Sequence, residues 1–403
     1  MSIFAKFDGI TQARAALETV GIDPFGVAME KILTPTEAII HGRHTILAGT
    51  NNYLGLTFNP EALQAAHEAL DNQGTGTTGS RMANGSFSTH RSLEMELAQF
   101  YGMRDCIVFS TGYQANLGMI ATLAGPRDLV FLDADSHASI YDGTRLGGAE
   151  VVRFRHNDPE DLAKRMRRMG DRAREALIIV EGLYSMLGDV APVTEFAAVK
   201  REYGGYLMVD EAHSLGIYGD RGRGICEAQG CEADVDFIVG TFSKSLGATG
   251  GFCVSNREEL DLIRYAARPY IFTASPPPSV IASTRANLRK LEQGSDLRER
   301  LMENATRLYQ GLKALDLQLG PDISPVVAVN VPAGREVALA FWKALLENGV
   351  YCNLVLPPAT PSGAPLLRLS MSAAHNADQV DQIVDIFGRL KPEYLDQALA
   401  ASA

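Results

Sequence analysis

The chain has 403 residues, of which 46% are hydrophobic and 21% charged, and its formal net charge is −11 at pH 7. This length exceeds one ordinary hydrophobic core and predicts a large domain plus a smaller one, while the composition excludes a disordered or fibrous protein. The acidic charge repels phosphate backbones and argues against a nucleic-acid partner. Because the sequence shows neither a signal peptide nor a long apolar run, we expect a cytoplasmic protein without a transmembrane segment.

The five cysteines are an odd number in a long chain. Cys226 and Cys231 are five positions apart, but no second cysteine pair or histidine cluster completes a zinc pattern. We therefore expect buried thiols in a reducing compartment and no metal site.

In chain order, the predicted elements begin with a helical N-terminal arm (1–45) that leads to a short strand near 45–47. A helix, a glycine-rich loop at 74–85 and a helix across 93–101 follow. Short β-rich runs then alternate with helical stretches, which predicts an α/β fold with a mainly parallel seven-stranded sheet and helices on both faces. The runs are 106–109, 129–132, 151–154, 177–180, 206–209, 237–239 and 251–254.

Beyond three prolines at 276–278, a long helical region spans about 280–316. The remainder predicts a compact α+β arrangement of strands and helices. The strands are 325–331, 350–355 and 366–371, and the helices are 335–348 and 377–390. We divide the chain into the arm (1–45), a large domain (46–280) and a small C-terminal domain (281–403).

Polar residues follow five of the predicted strands. In an open α/β sheet, ligands bind outside the carboxyl ends of the strands, so these residues meet at one rim. Each alone is more often a helix cap or a structural residue, but together they form an unusual set. They are Ser110-Thr111-Gly112-Tyr113, Asp133-Ala134-Asp135-Ser136-His137, Glu181-Gly182-Leu183-Tyr184-Ser185, Asp210-Glu211-Ala212-His213 and Thr241-Phe242-Ser243-Lys244.

This set fits the needs of pyridoxal 5'-phosphate (PLP). Lys244 offers an amine for a Schiff base with the cofactor's aldehyde, provided that its surroundings lower a pKa of ~10.4. Asp210 is expected to keep the pyridine nitrogen protonated. We expect His213 to bind the phenolic oxygen or the substrate carbonyl, and His137 to stack on the ring. A helix start and hydroxyls are expected to bind the phosphate. These are Gly112, Tyr113, Thr241 and Ser243.

Two motifs indicate other classes of protein. Gly74-Thr-Gly76-Thr-Thr-Gly79 fits a dinucleotide-binding pattern, but it follows a predicted helix, whereas that fingerprint follows a strand and opens a helix. Asp210-Glu-Ala-His213 spells a helicase motif, but the sequence lacks the phosphate-binding loop that such an ATPase needs. Both alternatives are therefore disfavoured.

Four segments, taken in order, resemble the α-oxoamine synthases, which are fold-type I PLP enzymes that condense an amino acid with an acyl-CoA and release CO₂. The resemblance covers about residues 20 to 390 and implies a large domain with a mainly parallel seven-stranded sheet plus a small C-terminal α+β domain. The segments are Asp133-Ala-Asp-Ser-His137, Glu181-Gly-Leu-Tyr-Ser185-Met-Leu-Gly-Asp189, Val209-Asp210-Glu-Ala-His213-Ser and Gly240-Thr-Phe-Ser-Lys244-Ser.

Further segments favour the branch of this family that joins L-serine to palmitoyl-CoA and forms 3-ketodihydrosphingosine, the first step of sphingolipid synthesis. The aminolevulinate synthase, aminooxononanoate synthase and aminoketobutyrate ligase branches remain the alternative. Leu356 departs from the pattern, because this branch has an arginine before its proline-rich loop. The segments are Phe7-Asp8-Gly9, Asp23-Pro24-Phe25, Gly79-Ser80-Arg81-Met82, Asn84-Gly85, 268–275, and Pro357-Pro-Ala-Thr-Pro361 followed by Leu367-Arg368.

The resemblance implies a role for each residue at the rim. Lys244 becomes the Schiff-base lysine, Asp210 the partner of the ring nitrogen and His137 the stacking residue. His213 becomes the partner of the phenolate oxygen, and Ser185 joins the cofactor-binding residues.

The resemblance also implies partners. It predicts a homodimer with shared active sites, in which Thr273 reaches the neighbour's phosphate. Arg368, helped by Asn52, would bind the serine carboxylate, although an ion pair with an acidic side chain is the alternative for an arginine on an apolar strand. The acidic charge also leaves open a peripheral contact with the inner face of a membrane.

Overall fold

The structure is a computed structural model that describes residues 2–18, 21, 23–357, 359–361 and 363–402. The chain divides into two compact units. The central unit is Asn51–Met302, and the terminal unit combines the described residues of Met1–Thr50 and Glu303–Ala403. Of the helices that the structure describes, none has the length and apolar character needed to cross a membrane.

The regular elements alternate along most of the chain. The strands are β1 (Lys31–Thr34), β2 (Glu37–Ile40), β3 (Arg43–Leu47), β4 (Asp105–Phe109), β5 (Leu129–Asp133), β6 (Glu150–Phe154), β7 (Leu177–Glu181), β8 (Tyr206–Asp210), β9 (Phe237–Thr241), β10 (Gly251–Ser255), β11 (Val326–Asn330), β12 (Val350–Tyr351), β13 (Asn353–Val355) and β14 (Leu366–Ser370). The α-helices are α1 (Asp8–Glu18), α2 (Pro60–Gln73), α3 (Ser88–Tyr101), α4 (Gly112–Leu123), α5 (Ala138–Gly147), α6 (Pro159–Met169), α7 (Val193–Tyr203), α8 (Ile225–Ala228), α9 (Leu260–Ala266), α10 (Arg268–Ile271), α11 (Pro278–Gln293), α12 (Ser295–Ala314), α13 (Arg335–Glu347), α14 (Ala377–Lys391) and α15 (Gln397–Ser402). Short 3₁₀ turns span Ala5–Phe7, Leu56–Phe58, Gly170–Glu175 and Glu232–Asp234, and a π-helical turn spans Pro392–Asp396.

The central unit is built around a seven-stranded sheet of order β4-β10-β9-β8-β7-β5-β6. Strand β10 is antiparallel to both of its neighbours, and the remaining pairs are parallel. The strand sequences are apolar on both faces, as expected where helices cover both sides of a sheet. The predicted mainly parallel α/β fold is confirmed.

The topology brings five strand ends to one edge of this sheet. Strands β5, β7, β8 and β9 run parallel to one another. Strand β10 lies between β4 and β9 and is antiparallel to both, so β4 runs in the same direction as β9. The polar residues that follow these strands therefore lie along a single rim, as the sequence predicted.

The terminal unit contains a sheet of order β1-β2-β3-β12 and a second sheet of order β11-β14-β13. The first sheet differs from the helical N-terminal arm predicted for 1–45, because helix α1 gives way to the antiparallel strands β1, β2 and β3. Pro35 lies in the turn between β1 and β2, where its fixed φ and missing N–H are tolerated.

The boundary between the units also differs from the predicted division at 280/281. Helix α11 packs against α2 and α3, so it belongs to the core of the central unit. Residues 281–302 are therefore part of the central unit, and 303 onward belongs to the terminal unit.

Candidate active site

A cavity of about 280 Å³ opens at the carboxyl ends of the central strands. It brings together most of the residues that the sequence predicted for the rim. These are Gly112, Tyr113, His137, Asp210, His213, Thr241, Ser243 and Lys244. Asn116 and Ser139, which the sequence analysis did not single out, also line the cavity, as do Thr111 and Glu181, which belong to the predicted rim but received no role.

Asp210 ends strand β8 and is 5% exposed. Its Oδ1 accepts a hydrogen bond from the backbone N–H of Ala212 at 2.9 Å, and its Oδ2 accepts from Asn116 Nδ2 at 2.7 Å. Both donors are neutral, so they fix the carboxylate without pairing its charge.

His137 lies at the start of α5, where its side chain accepts from the backbone N–H of Ser139. Its Nδ1 and the Ser139 hydroxyl are 2.7 Å apart, and Ser139 Oγ accepts from Asn116 Nδ2 at 2.9 Å. Burial lowers the pKa of His137, the charge of Asp210 opposes that shift, and Lys244 adds to it. The ring is therefore neutral at pH 7.

Glu181 ends β7 directly beside Asp210 on β8. Its Oε1 accepts from the backbone N–H of His137 at 2.5 Å. Burial and the charge of Asp210 raise the pKa of Glu181, against the opposing effects of His137 N–H and Lys244. Burial and the adjacent Asp210 therefore both disfavour a charge on Glu181.

Lys244 follows β9 and is half-buried at the cavity wall. Its positive charge reaches both His137 and Glu181, because it lowers the pKa of each. The amine therefore lies near both His137 and Glu181.

His213 is held by a residue that the sequence analysis did not single out. Its Nδ1 and the hydroxyl of buried Tyr53 are 2.8 Å apart, and the two rings meet edge to face. Because Tyr53 and His213 are 160 positions apart, no local motif links them.

The start of α4 forms an anion-binding corner with the end of β9. The Thr111 side chain caps the helix by accepting from Gln114 N–H at 3.0 Å. Gly112 and Tyr113 lie in the first turn of α4, where backbone N–H groups have no acceptor within the helix. A Cβ at Gly112 would lie 2.9 Å from the Thr241 side chain, so the two segments approach closely only with glycine here.

The residues present fit PLP. Amides and hydroxyls at the α4 corner suit a phosphate, and Asp210 suits a protonated ring nitrogen. Asn116 Oδ1 is also buried at this cavity with no hydrogen-bond partner among the described residues. A bound group would supply such a partner.

Several predicted residues lie elsewhere. Ser185 is half-buried after β7 and is not among the described cavity-lining residues. Thr273 accepts from Gln114 Nε2 of its own chain at 3.3 Å, and Asn52 Nδ2 donates to Thr57 at 2.8 Å. Their roles remain predictions.

Arg368 lies in the terminal unit, buried on β14 between Ala328 and Asn353 of the neighbouring strands. Its role toward a substrate carboxylate stays a prediction. Of the predicted proline-rich loop, Pro358 lies outside the described residues.

A fold of this type with a lysine, a carboxylate and a histidine at its strand ends defines a class, and comparison with known families identifies it. The model of the family described as aminotransferase class I and II matches residues 43–387. The chain belongs to this family and, within it, to the α-oxoamine synthases that the sequence predicted. Because the family is PLP-dependent, the prediction of a PLP-dependent enzyme is confirmed.

The chain is similar to particular members along nearly its whole length. It is 58% identical to a serine palmitoyltransferase of Caulobacter vibrioides over 97% of this chain and 96% of that protein. It is 51% identical to the serine palmitoyltransferase of Sphingomonas paucimobilis over 96% and 92%. A solved structure of SPT with PLP internal aldimine superposes with a TM-score of 0.95 at 50% identity, covering 98% of this chain and 99% of that one.

Proposed function

We propose that the chain condenses L-serine with palmitoyl-CoA, releases CoA and CO₂, and forms 3-ketodihydrosphingosine, the first step of sphingolipid synthesis. The observation that carries this proposal is the match of serine palmitoyltransferases at 58% and 51% identity along nearly the full chain. The cavity supports it, because Lys244, Asp210 and His137 converge there as PLP chemistry requires.

Bound PLP supplies an electron sink for negative charge that develops at the serine Cα. The protein's part begins with Lys244, whose amine holds the cofactor and, once released by serine, removes the Cα proton. The half-buried position of Lys244 at the cavity wall supports this role.

Asp210 keeps a proton on the pyridine nitrogen, because its charged carboxylate is aimed into the cavity by Asn116 and Ala212. His137 packs on the ring face, and its neutral state avoids placing a second positive charge beside that protonated ring. His213, oriented by Tyr53, binds the phenolic oxygen.

The remaining site residues bind the phosphate and the substrate. Gly112 and Tyr113 offer amides to the phosphate, and Thr241 and Ser243 offer hydroxyls, which lie 2.9 Å apart. Ser185 joins the cofactor contacts. We propose a homodimer with shared active sites in which Thr273 of each subunit reaches the other subunit's phosphate.

Arg368 and Asn52 are the proposed binders of the serine carboxylate. A planar guanidinium can hold a carboxylate through two parallel hydrogen bonds. Arg368 is 6% exposed on β14.

We also propose a cytoplasmic enzyme with a peripheral contact to the inner face of a membrane, because the proposed product is a lipid. Large apolar side chains are exposed near the N-terminus of the terminal unit, where Ile3 is 76%, Phe4 67% and Ile10 65% exposed. Ile10 lies on α1 and Ile3 and Phe4 lie in the turn that precedes it, and exposed apolar side chains of this kind can enter a lipid headgroup region. Sedimentation with anionic vesicles checks this contact, and unchanged binding after Phe4→Ser and Ile10→Ser would contradict it.

The reaction is tested by measuring CoA and CO₂ release across a panel of amino acids and acyl-CoAs. We expect the highest kcat/KM with L-serine and palmitoyl-CoA. Preference for glycine or alanine, or for a short acyl chain, would instead place the chain in another branch of the family.

A further inference from the structure

A buried cluster beside the cavity takes no part in the chemistry described above. His156 lies between two carboxylates, with its Nδ1 2.9 Å from Asp133 Oδ1 and its Nε2 2.6 Å from Asp189 Oδ2. Asp133 is fully buried and Asp189 is 6% exposed. None of these three described residues lines the cavity.

The cluster needs a cation at its centre. A neutral imidazole donates from one nitrogen only, so it would face one of the two carboxylates with a lone pair. Burial lowers the pKa of His156, but hydrogen bonds to Asp133 and Asp189 more than offset this and raise it to about 10. Asp135, at 3.9 Å, adds a third acidic group, and the Tyr184 ring packs edge-on against the imidazole at 4.5 Å.

One side of the cluster leads directly to His137. Asp133 ends β5, and its Oδ1 also accepts from the backbone N–H of Asp135 at 2.9 Å. The backbone C=O of Asp133 accepts from Ser136 N–H at 3.3 Å. The turn 133–137 is thus stabilised by hydrogen bonds to Asp133, whose carboxylate also contacts His156.

On the other side of the cluster, hydrogen bonds within the turn 181–189 connect Asp189 to His137. Tyr184 N–H donates to the C=O of Asp189 at 3.0 Å, and the Tyr184 hydroxyl accepts from Glu181 N–H at 3.3 Å. Glu181 in turn accepts from His137 N–H. His156 therefore lies where two active-site turns meet.

We propose that His156 is a positioning residue, an ionic clasp that holds turns 133–137 and 181–189 together so that His137 and Glu181 face the cavity correctly. Without the imidazolium, Asp133 and Asp189 would be buried carboxylates that repel each other. Asn157 donates from its N–H to Asp133 and from its side-chain amide to Asp189, but this neutral link does not balance their charges, so we expect the turns to move apart. This inference rests on the proposed function only where bound PLP or serine turnover serves as the readout.

The test is His156→Gln, with three readouts. Amide hydrogen exchange of 134–140 in the protein before PLP is added should accelerate by about tenfold or more. With PLP bound, the visible circular dichroism of the cofactor should change, since its ring contacts His137. The kcat for serine should fall by about ten- to a hundredfold, since small misplacements near the chemistry have effects of this size.

Arg257→Gln is the matched control. It also removes a cation from a buried carboxylate, Asp236, but at the opposite end of the sheet, where Lys200 still lies 2.6 Å from that carboxylate. We expect this variant to lose stability while keeping the exchange of 134–140, the visible dichroism and kcat. A structural role alone would make the two variants behave alike.

Asp189→Asn is the second variant, because it keeps an acceptor for His156 and leaves the His156–Asp133 pair intact. We expect the same changes to a smaller extent. Wild-type exchange and dichroism in Asp189→Asn and in folded His156→Gln would overturn the proposal; if His156→Gln fails to fold, Asp189→Asn alone decides. A wild-type protein that does not turn over serine would contradict the proposed function instead, and the exchange rates would still test the clasp.

Discussion

Two buried carboxylates at opposite ends of the central sheet have opposite kinds of partner. At the amino end, Asp236 accepts from Arg257 at 3.0 and 2.6 Å, lies 2.6 Å from Lys200, and accepts from Leu207 N–H at 2.8 Å. At the carboxyl end, Asp210 accepts from the amide of Asn116 and the N–H of Ala212. The first carboxylate is neutralised by cations of the protein, and the second is only oriented.

All three acidic side chains, Asp236, Asp210 and Glu211, are buried. Glu211, the neighbour of Asp210, shows that neutral donors alone do not mark a ligand site, because its carboxylate accepts from Ile225 N–H and Cys226 N–H and so fixes the start of α8. Asp210 differs from both other carboxylates because it lines the cavity.

The largest expected effect on turnover comes from replacing Lys244, at the carboxyl end of the sheet, and the comparison is with Lys200 at the amino end. Lys244→Ala should abolish both turnover and the visible absorbance of lysine-bound PLP, because it removes the amine to which the cofactor attaches. Lys200→Met should retain both, since Arg257 still pairs with Asp236. Absorbance spectra and CoA release check the pair, and a coloured, active Lys244→Ala variant would refute the assignment.

The carboxylates provide the next test. Asp210→Asn should fold and bind PLP, yet lose about 4 kcal/mol of transition-state stabilisation, which is roughly a thousandfold in turnover. Asp236→Asn should lower the free energy of unfolding and leave kcat of the folded enzyme near the wild-type value. If Asp210→Asn works within a few-fold of wild type, its carboxylate is only a cap.

In the terminal unit, the buried Arg368 can be compared with the exposed Arg307. Arg368→Lys replaces a planar fork with a point charge, so the apparent Kd for serine should rise by about tenfold while the visible band of bound PLP is unchanged. Arg307→Lys, at the exposed pair with Asp381, should leave that Kd unaltered. Serine titrations that follow the cofactor spectrum check this, and equal affinity in Arg368→Lys and Arg368→Ala would leave Arg368 structural.

The smallest expected effect is on pH-dependent stability. The pKa of His156 is raised from 6.5 to about 10, so its contribution is fully present below pH 6.5 and is lost as the pH rises through 10. At the other end of the sheet, the hydrogen bond to Asp236 raises the pKa of Arg257, and burial only partly opposes this shift. Arg257 therefore stays charged throughout this pH range. The urea-derived free energy of unfolding should therefore fall between pH 7 and 10, and less steeply in His156→Gln than in Arg257→Gln.

Several strands of the central sheet were predictable because each is a short apolar run that ends in a polar residue. Predicted 129–132 and 177–180 correspond to Leu129–Asp133 and Leu177–Glu181, which differ only by that polar end. The hairpin of β1 and β2 was missed, because Pro35 interrupts its pattern and reads as the end of an element rather than the turn between two strands.

The site was predictable where topology alone places a residue and unpredictable where side chains from separate elements meet. Asp210 and Lys244 follow parallel strands, so their edge of the sheet is fixed by the fold. Asn116 becomes a partner of Asp210 only because one face of α4 turns toward β8, 94 positions away. A lone asparagine in a helix carries no sequence signal of such a contact.

The position of β10 has a consequence for the order in which the protein is assembled during synthesis. This strand leaves the ribosome after every other strand of its sheet, yet it lies in the interior, between β4 and β9. Until residue 255 emerges, β4 lacks its described neighbour and β9 presents an open edge, both of which invite pairing with another nascent chain. The close approach of Gly112 to Thr241 joins the same two strand ends, so this corner of the cavity is completed only when the late strand inserts.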